Sequence, residues 1–160
     1  MAVIWAMVAT VVYLAATAAG RSDHVPTDAC KSMFPSGHGV DAQLSEPPYV
    51  FTLPAKMAPN SEVIVILSGS GSSDTFKGFF VKAFNDATSS PIGSFKAPKT
   101  IDCDGPASGA HHANSTSKES VTLTWLPPLN FVGSVTFMAT VVESRENFWT
   151  GVVSDQLILG

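Results

Sequence analysis

Short apolar runs separated by turn-forming residues make up the chain from Tyr49 onward. No stretch keeps a 3.6-residue hydrophobic period over a dozen positions, so we expect little helix. Residues 120–125 alternate apolar and polar side chains without exception, which predicts a strand with Trp125 on its buried face. Enrichment in β-branched and aromatic residues between turn residues predicts strands at 49–53, 62–68, 76–84, 120–125, 133–142 and 151–159.

Two of these predicted strands depart from simple alternation. Residues 63–67 are apolar without interruption, which predicts a central strand covered on both faces. Residues 76–84 present one cleanly apolar face and one mixed face that carries Phe80, Lys82 and Phe84. Six or seven short antiparallel strands joined by turns predict an all-β protein, specifically an antiparallel β-sandwich.

The start of the chain has the composition of a secretory signal. Residues 1–20 contain no charged side chain, are rich in Ala, and end in small residues that suit signal peptidase, with Ala16 and Ala18 at the two selective positions. We predict a signal peptide at 1–20, a mature domain at 21–160, and an extracellular, secreted protein. An uncleaved anchor is the alternative, since no Lys or Arg precedes the apolar run. Its Ala and Thr content is weakly hydrophobic for a span, so no stable membrane insertion is expected.

The chain contains two cysteines, Cys30 and Cys103. In the oxidising compartment that secretion implies, two cysteines form an even and unique pair, so we predict a disulfide between them. Such a bridge would stabilise the fold by about 4 kcal/mol through its effect on the unfolded chain. Two buried free thiols are the alternative.

Composition and charge narrow the classes of partner. The 160 residues are 45% hydrophobic, which is enough for the core of one domain. Lys and Arg number 9 against 13 Asp and Glu, for a net charge of -4 at pH 7. Nucleic acid is not an expected partner, because no basic excess is present to neutralise phosphates.

The longest stretches without a strand pattern are 68–75 and 102–117. The second contains His111, His112 and the sequon that begins at Asn114, which we predict to be exposed and glycosylated. Loops carried by a rigid scaffold are the usual recognition elements, so we expect both histidines to contribute to binding.

Metal binding and catalysis find little support in the residue pattern. Adjacent side chains such as those of His111 and His112 point apart on a strand, so a metal site would need His38 or Asp104 to approach them across the fold. No nucleophile elbow or phosphate-binding glycine loop occurs, and the carboxylates are scattered. We expect no catalytic residues, no metal and no cofactor.

Two further aromatic residues are candidates for recognition. Phe148 and Trp149 lie between Asn147 and Gly151, at a turn or at the start of a strand. A ring exposed at such a turn is available to stack on a ligand. We therefore include both residues among the candidate binding residues, beside His111 and His112.

The order of these features resembles the reeler (reelin N-terminal) domain family over residues 30–159. An early Cys precedes a Met-Phe-Pro segment and a His, and a second Cys is followed by His and Lys. The residues that carry the resemblance are Cys30, Met33-Phe34-Pro35, His38, Phe76-Lys77-Gly78-Phe79, Gly93-Ser94-Phe95, Cys103, His111, Lys118, Thr124-Trp125-Leu126-Pro127-Pro128, Gly133-Ser134-Val135-Thr136-Phe137, Ala139-Thr140-Val141-Val142, Phe148-Trp149, Ser154 and Leu157.

The resemblance implies an immunoglobulin-like β-sandwich that is extracellular and has no catalytic centre. The chain is most similar to short, single-domain arthropod members, which are regarded as defence proteins induced by infection. This similarity implies a secreted innate-immune protein that binds microbial surface components or haemocytes, with antimicrobial action as a further expectation. The alternative is an extracellular adhesion or matrix module that binds another protein.

Overall fold

The computed structural model of the protein describes residues 25–160. The predicted signal peptide, residues 1–20, lies outside the described residues. Within these residues, the helical structure consists of one short α-helix, α1 (Ala29–Ser32), and one 3-10 turn (Ser36–His38). Helix is therefore minor in the described part of the chain, as the hydrophobic pattern from Tyr49 onward predicts.

Strands account for the rest of the regular structure between residues 25 and 160, which confirms the all-β class. One of the strands ends at Leu126, directly before Pro127 and Pro128, because proline cannot donate a hydrogen bond to a strand ladder. In chain order the strands are β1 (Tyr49–Thr52), β2 (Lys56–Met57), β3 (Val63–Gly69), β4 (Gly78–Asn85), β5 (Ser90–Pro91), β6 (Ser94–Ala97), β7 (Lys99–Ile101), β8 (Gly109–His111), β9 (Ser120–Leu126), β10 (Gly133–Val142), β11 (Phe148–Val153) and β12 (Leu157–Leu159).

The strands form two sheets. The smaller has the order β1-β3-β9-β6, and the larger has the order β2-β12-β10-β4-β8-β7. In the larger sheet β11 also pairs with β10, and β5 pairs with β4. The pairings are antiparallel except for the short β2–β12 contact, which is parallel.

The hydrophobic core lies between the two sheets. Trp125 of β9 and Phe137 of β10 meet edge to face, with ring centroids 5.4 Å apart. Both side chains are fully buried, and the indole Nε1 of Trp125 donates a hydrogen bond to the carbonyl oxygen of Ile92 at 3.2 Å. Trp125 is buried as predicted, and so is Leu123 on the same face of β9, whereas Val121 of that face is half-buried. The immunoglobulin-like strand arrangement stays a prediction.

The two sheets differ in how their outer faces are covered, and this reverses one expectation. The prediction that β3 is covered on both faces is wrong, because Ile64 of β3 is 48% exposed. Instead β4 is covered on both faces, and Phe80 and Lys82 of its mixed face are buried. The N-terminal segment, residues 25–38, lies over that face.

Two other segments differ from the strand prediction. The apolar stretch 151–159 is not one strand, because β11 ends at Val153 and β12 begins at Leu157. The long stretch 102–117 is not wholly a loop, because β8 forms inside it and pairs with β4 and β7. Within that stretch, residues 113–117 are exposed after β8, and Asp102, Asp104 and Pro106 are exposed before it.

Candidate functional site

Three connecting segments meet at one end of the two sheets. They are residues 70–75, which join β3 to β4, residues 113–117, which follow β8, and the turn at 143–147 between β10 and β11. Backbone pairing between Phe76 and Lys118 places the first two side by side. The backbone N–H of Lys77 donates to the carbonyl oxygen of Val142 at 2.8 Å, which brings the third segment to the same end. We call these three segments the loop end.

Lys118 organises the middle of the loop end. Its Nζ donates hydrogen bonds to the carbonyl oxygens of Lys77 at 3.0 Å, Asn114 at 3.0 Å and Thr116 at 2.6 Å. Partial burial of the ammonium group lowers the pKa of Lys118 below its ordinary value. Because one cation holds carbonyls from two chain segments, residues 113–117 have a defined conformation.

Asn114 lies on this ordered segment and is exposed, as the sequence predicts. Its Oδ1 accepts hydrogen bonds from the backbone N–H of Thr116 at 3.1 Å and from the Thr116 hydroxyl at 2.6 Å. The amide nitrogen, which is the atom that a glycan would modify, lies on the other side of the amide group. Glycan attachment at Asn114 remains a prediction.

The expectation that His111 is presented on a loop is wrong. His111 is the last residue of β8, is 3% exposed, and lies between Phe80 on one neighbouring strand and Lys99 on the other. Its Nδ1 is 2.7 Å from the carbonyl oxygen of His112. Burial lowers the pKa of His111, which favours the neutral imidazole. His111 is therefore a structural residue inside the larger sheet.

His112 is half-buried at the edge of the loop end. Its Nδ1 lies 3.2 Å from the backbone nitrogen and 3.1 Å from the carbonyl oxygen of Phe79. The imidazole also lines a cleft beneath the N-terminal segment, together with His38. Of the two adjacent histidines, His112 is therefore the one that can meet a ligand.

Phe148 and Trp149 are both buried, so the prediction that one ring is exposed at a turn is wrong. The Phe148 ring packs edge to face on Phe34 and His38, with centroid distances of 5.5 Å and 5.2 Å. Trp149 is 9% exposed, and its Nε1 donates to the hydroxyl of Ser45 at 3.1 Å. Residues about a hundred positions earlier in the chain cover both rings, which local sequence patterns cannot reveal.

The Cys30–Cys103 disulfide is confirmed, with a Cα–Cα distance of 5.3 Å. It joins α1 to the β7–β8 connection. Lys82, from the mixed face of β4, reinforces the same junction: its Nζ donates to the carbonyl oxygen of Cys30 at 2.9 Å and lies 2.5 Å from a carboxylate oxygen of Asp104. The sequence analysis did not predict this role of Lys82. The signal for it was a lysine between two phenylalanines on one face of a predicted strand.

Although His38 and His112 line the same cleft, residues 25–160 contain no group of three or more His, Cys, Asp or Glu side chains placed to hold a metal ion. Within the same residues, no helix is long and apolar enough to cross a membrane.

Comparison with known proteins agrees with the arrangement of strands. The family model for the Reeler domain matches residues 28–159. The chain belongs to the Reeler domain family. The human F-spondin reeler domain superposes on this Reeler domain with a TM-score of 0.60 at 15% identity, over 75% of this chain and 94% of that one.

Two insect proteins are similar to this Reeler domain over nearly its whole length. A Bombyx mori protein named for a presumed defence role is 32% identical, over 96% of this chain and 94% of its own. The Drosophila melanogaster protein called Defense protein l(2)34Fc is 30% identical, over 90% of this chain and 92% of its own. At family level these names support a role in defence.

A Danio rerio protein named for presumed ferric-chelate reductase activity is also similar, at 31% identity over 81% of this chain. The match covers 23% of that longer protein. Its named activity therefore cannot be assigned to the matching part. The Reeler domain and the insect relatives named for defence are not enzyme families.

Proposed function

We propose that this Reeler domain is a secreted innate-immune protein that attaches to microbial surfaces or to haemocytes. The observation that carries the proposal is the similarity, over nine tenths or more of both chains, to insect proteins named for defence. Binding rather than catalysis fits the absence of a nucleophile–base arrangement in the sequence. Antimicrobial action would follow from attachment and is tested separately by growth assays.

Secretion is part of the proposal. The small-residue end of the apolar run predicts a mature protein that begins between Ala19 and Arg21. A disulfide that joins distant segments persists in oxidising compartments, which supports the same location. N-terminal sequencing of protein recovered from the culture medium tests this part. Recovery of the intact chain only in membranes would contradict it.

The loop end is the surface that we propose for attachment. Residues 71–73 and 113–117 are exposed, whereas His111, Phe148 and Trp149 are not. A negative overall charge disfavours simple electrostatic capture of anionic microbial surfaces. Hydrogen bonds from the Ser-rich loops, together with the edge of His112, would therefore provide the contacts.

Two tyrosine substitutions on this surface test the proposal. Ser72→Tyr and Ser115→Tyr add bulk at exposed positions without changing the charge, and Ser115→Tyr preserves the sequon at Asn114. In a sedimentation assay with bacteria and haemocytes, we expect each variant to lower the cell-bound fraction at least about fivefold, which corresponds to roughly 1 kcal/mol of binding free energy.

The matched control is Leu129→Tyr, at a residue 82% exposed in the connection between β9 and β10, at the opposite end of the sheets. This variant should bind like the unmodified protein, and circular dichroism should show the same fold for all three. Equal binding by all variants would show that the contact surface lies outside the loop end. Failure of the unmodified protein to bind cells, with retention on extracellular matrix, would favour an adhesion module instead.

A further inference from the structure

A cleft of about 350 Å³ separates the N-terminal segment from the larger sheet. One wall consists of residues of the segment, including Phe34 and Pro35, and the other is the covered face of β4 and β10, including Phe80 and Val142. The volume falls within the roughly 300–1,000 Å³ range of small-molecule sites in proteins. The cleft adjoins the loop end and shares His112 with it, but its lining includes none of the exposed residues 71–73 and 113–117 that are proposed for cell attachment.

The lining is mainly apolar, and part of it remains in contact with water. Three of the apolar lining residues are only half-buried, namely Phe34, Pro35 and Val142. When an apolar ligand covers partly exposed apolar side chains on a concave surface, removing that apolar surface from water favours binding. This feature favours a ligand whose body is apolar.

Charge around the cleft argues against an anionic ligand. Among the described residues that line it, Asp28 is the only Asp, Glu, Lys or Arg. Arg145 is absent from the lining, and its Nε donates to the carbonyl oxygen of His38 at 3.2 Å. An uncharged ligand avoids both the repulsion by Asp28 and the cost of burying a charge.

His38 supplies a polar group of defined character. Its Nδ1 is 2.9 Å from the carbonyl oxygen of Arg145. A carbonyl oxygen only accepts, so Nδ1 must carry the proton, and in the neutral ring Nε2 is then an acceptor. A ligand that reaches this nitrogen must donate a hydrogen bond, as a hydroxyl group does.

The wall formed by the N-terminal segment is held against the sheet at several points. The Thr140 hydroxyl of β10 donates to the carbonyl oxygen of Met33, and the ammonium group of Lys82 donates to that of Cys30. The Cys30–Cys103 disulfide adds a covalent link. The cleft is therefore preformed, which reduces the ordering cost of binding.

We propose that this cleft binds an uncharged, mainly apolar small molecule that carries a hydroxyl group. The apolar body lies between Phe34 and the face of β4 and β10, and the hydroxyl donates to Nε2 of His38. This site does not depend on cell attachment by the loop end, and either proposal can fail without the other.

The test uses 1-naphthol, an uncharged two-ring molecule with one hydroxyl, and its methyl ether, which keeps the rings and lacks the donor. Calorimetric titration of the secreted protein should show saturable one-site binding of 1-naphthol, and weaker binding of the ether. In ¹⁵N–¹H spectra of the unmodified protein, the largest shift changes should fall on Phe34, His38 and Val142. Absence of saturable binding, or shift changes confined to other residues, would overturn the proposal.

A pair of glycine variants locates the ligand independently. Gly37 lines the cleft and Gly105 does not, and at both positions an added Cβ would have open space and no left-handed backbone. Gly37→Trp should weaken 1-naphthol binding at least about tenfold, while Gly105→Trp should change it by less than about twofold. Equal affinities for the two variants, with both folded by circular dichroism, would also refute the site.

The role of His38 is tested by His38→Phe, which keeps an aromatic ring and removes the acceptor nitrogen. We expect the variant to bind 1-naphthol and the methyl ether with affinities within about twofold of each other, because only the hydroxyl contact distinguishes them. Retained preference for 1-naphthol in this variant would show that another group receives the hydroxyl, contrary to the proposal.

Discussion

The ammonium group of Lys82, in the middle of β4, donates a hydrogen bond to the backbone carbonyl oxygen of Cys30 at 2.9 Å. The lysine is 2% exposed, and its counter-ion is Asp104, the residue that follows Cys103. One buried cation thus holds both chain segments that the disulfide joins. This contact helps to fix the N-terminal segment as a second layer on the larger sheet, above the cleft.

The energetic importance of this contact can be measured with substitutions at its two charged residues. Asp104→Ala leaves the Lys82 ammonium buried without its counter-ion, and we expect it to lower the free energy of unfolding by roughly 2–4 kcal/mol. Lys82→Met replaces the cation with an apolar side chain, so adding it to Asp104→Ala should recover part of the loss. Urea denaturation of the two single variants and the double variant measures this. A double variant less stable than Asp104→Ala would contradict the role of the pair.

Tyr49 gives the fold a characteristic response to alkali. Its hydroxyl donates to the carbonyl oxygen of Thr75 at 3.0 Å, and burial, with a smaller effect of Glu143 and Asp74, raises the pKa of Tyr49 to about 12. Between pH 10 and pH 12 the unfolded tyrosine loses its proton while the folded one keeps it, so stability falls as pH rises through this window.

The variant Tyr49→Phe isolates that contribution from other groups that titrate at high pH. At pH 7 it should be less stable by about 1 kcal/mol, because the hydrogen bond to Thr75 is lost. The difference from the unmodified protein should shrink between pH 10 and pH 12. A difference that stays constant across denaturation curves in this range would show that Tyr49 ionises equally in both states.

His111 predicts sensitivity to mild acid. Burial lowers its pKa from the ordinary value of 6.5, so below that pH the unfolded chain binds a proton that the folded chain resists. Stability should therefore fall as pH decreases below 6.5. His111→Gln removes the titrating group, and its thermal stability should depend less on pH in this range. Parallel pH profiles for the two proteins would contradict the assignment.

Asn114 is expected to carry an N-linked glycan when the protein is produced in a eukaryotic host, since its side chain is exposed on the loop end. Mass spectrometry should detect the added mass in the unmodified protein and in Ser115→Ala. Thr116→Ala removes the hydroxyl that the sequon requires and should abolish modification. An unmodified Asn114 throughout the secreted protein would refute occupancy.

Much of the fold can be predicted from local patterns. Strict alternation at 120–125, and apolar residues at every second position from Val135 to Val141, identify the two strands that supply Trp125 and Phe137 to the core. The period of two in a strand decides which side chains face inward. The two cysteines also predict their own pairing, since no other partner exists in the sequence. Both expectations depend only on neighbouring residues or on composition.

The candidate site required the tertiary structure. His111 and His112 are adjacent in a polar stretch, and only the pairing of β8 with β4 and β7 shows that the first is buried and that the second reaches a cleft. Phe148 and Trp149 resemble exposed turn residues in sequence, yet contacts with residues near the N-terminus cover both.

The sequence by itself determined the all-β class, the core strands, the disulfide and the family, because these follow from side-chain periodicity, from cysteine number and from ordered motifs. The tertiary structure decided which faces are covered, as the contrast between exposed Ile64 and buried Lys82 shows. Coverage depends on where the N-terminal segment packs. That packing joins residues 52 or more positions apart, as between Cys30 and Lys82, and no local pattern encodes contacts at such separations.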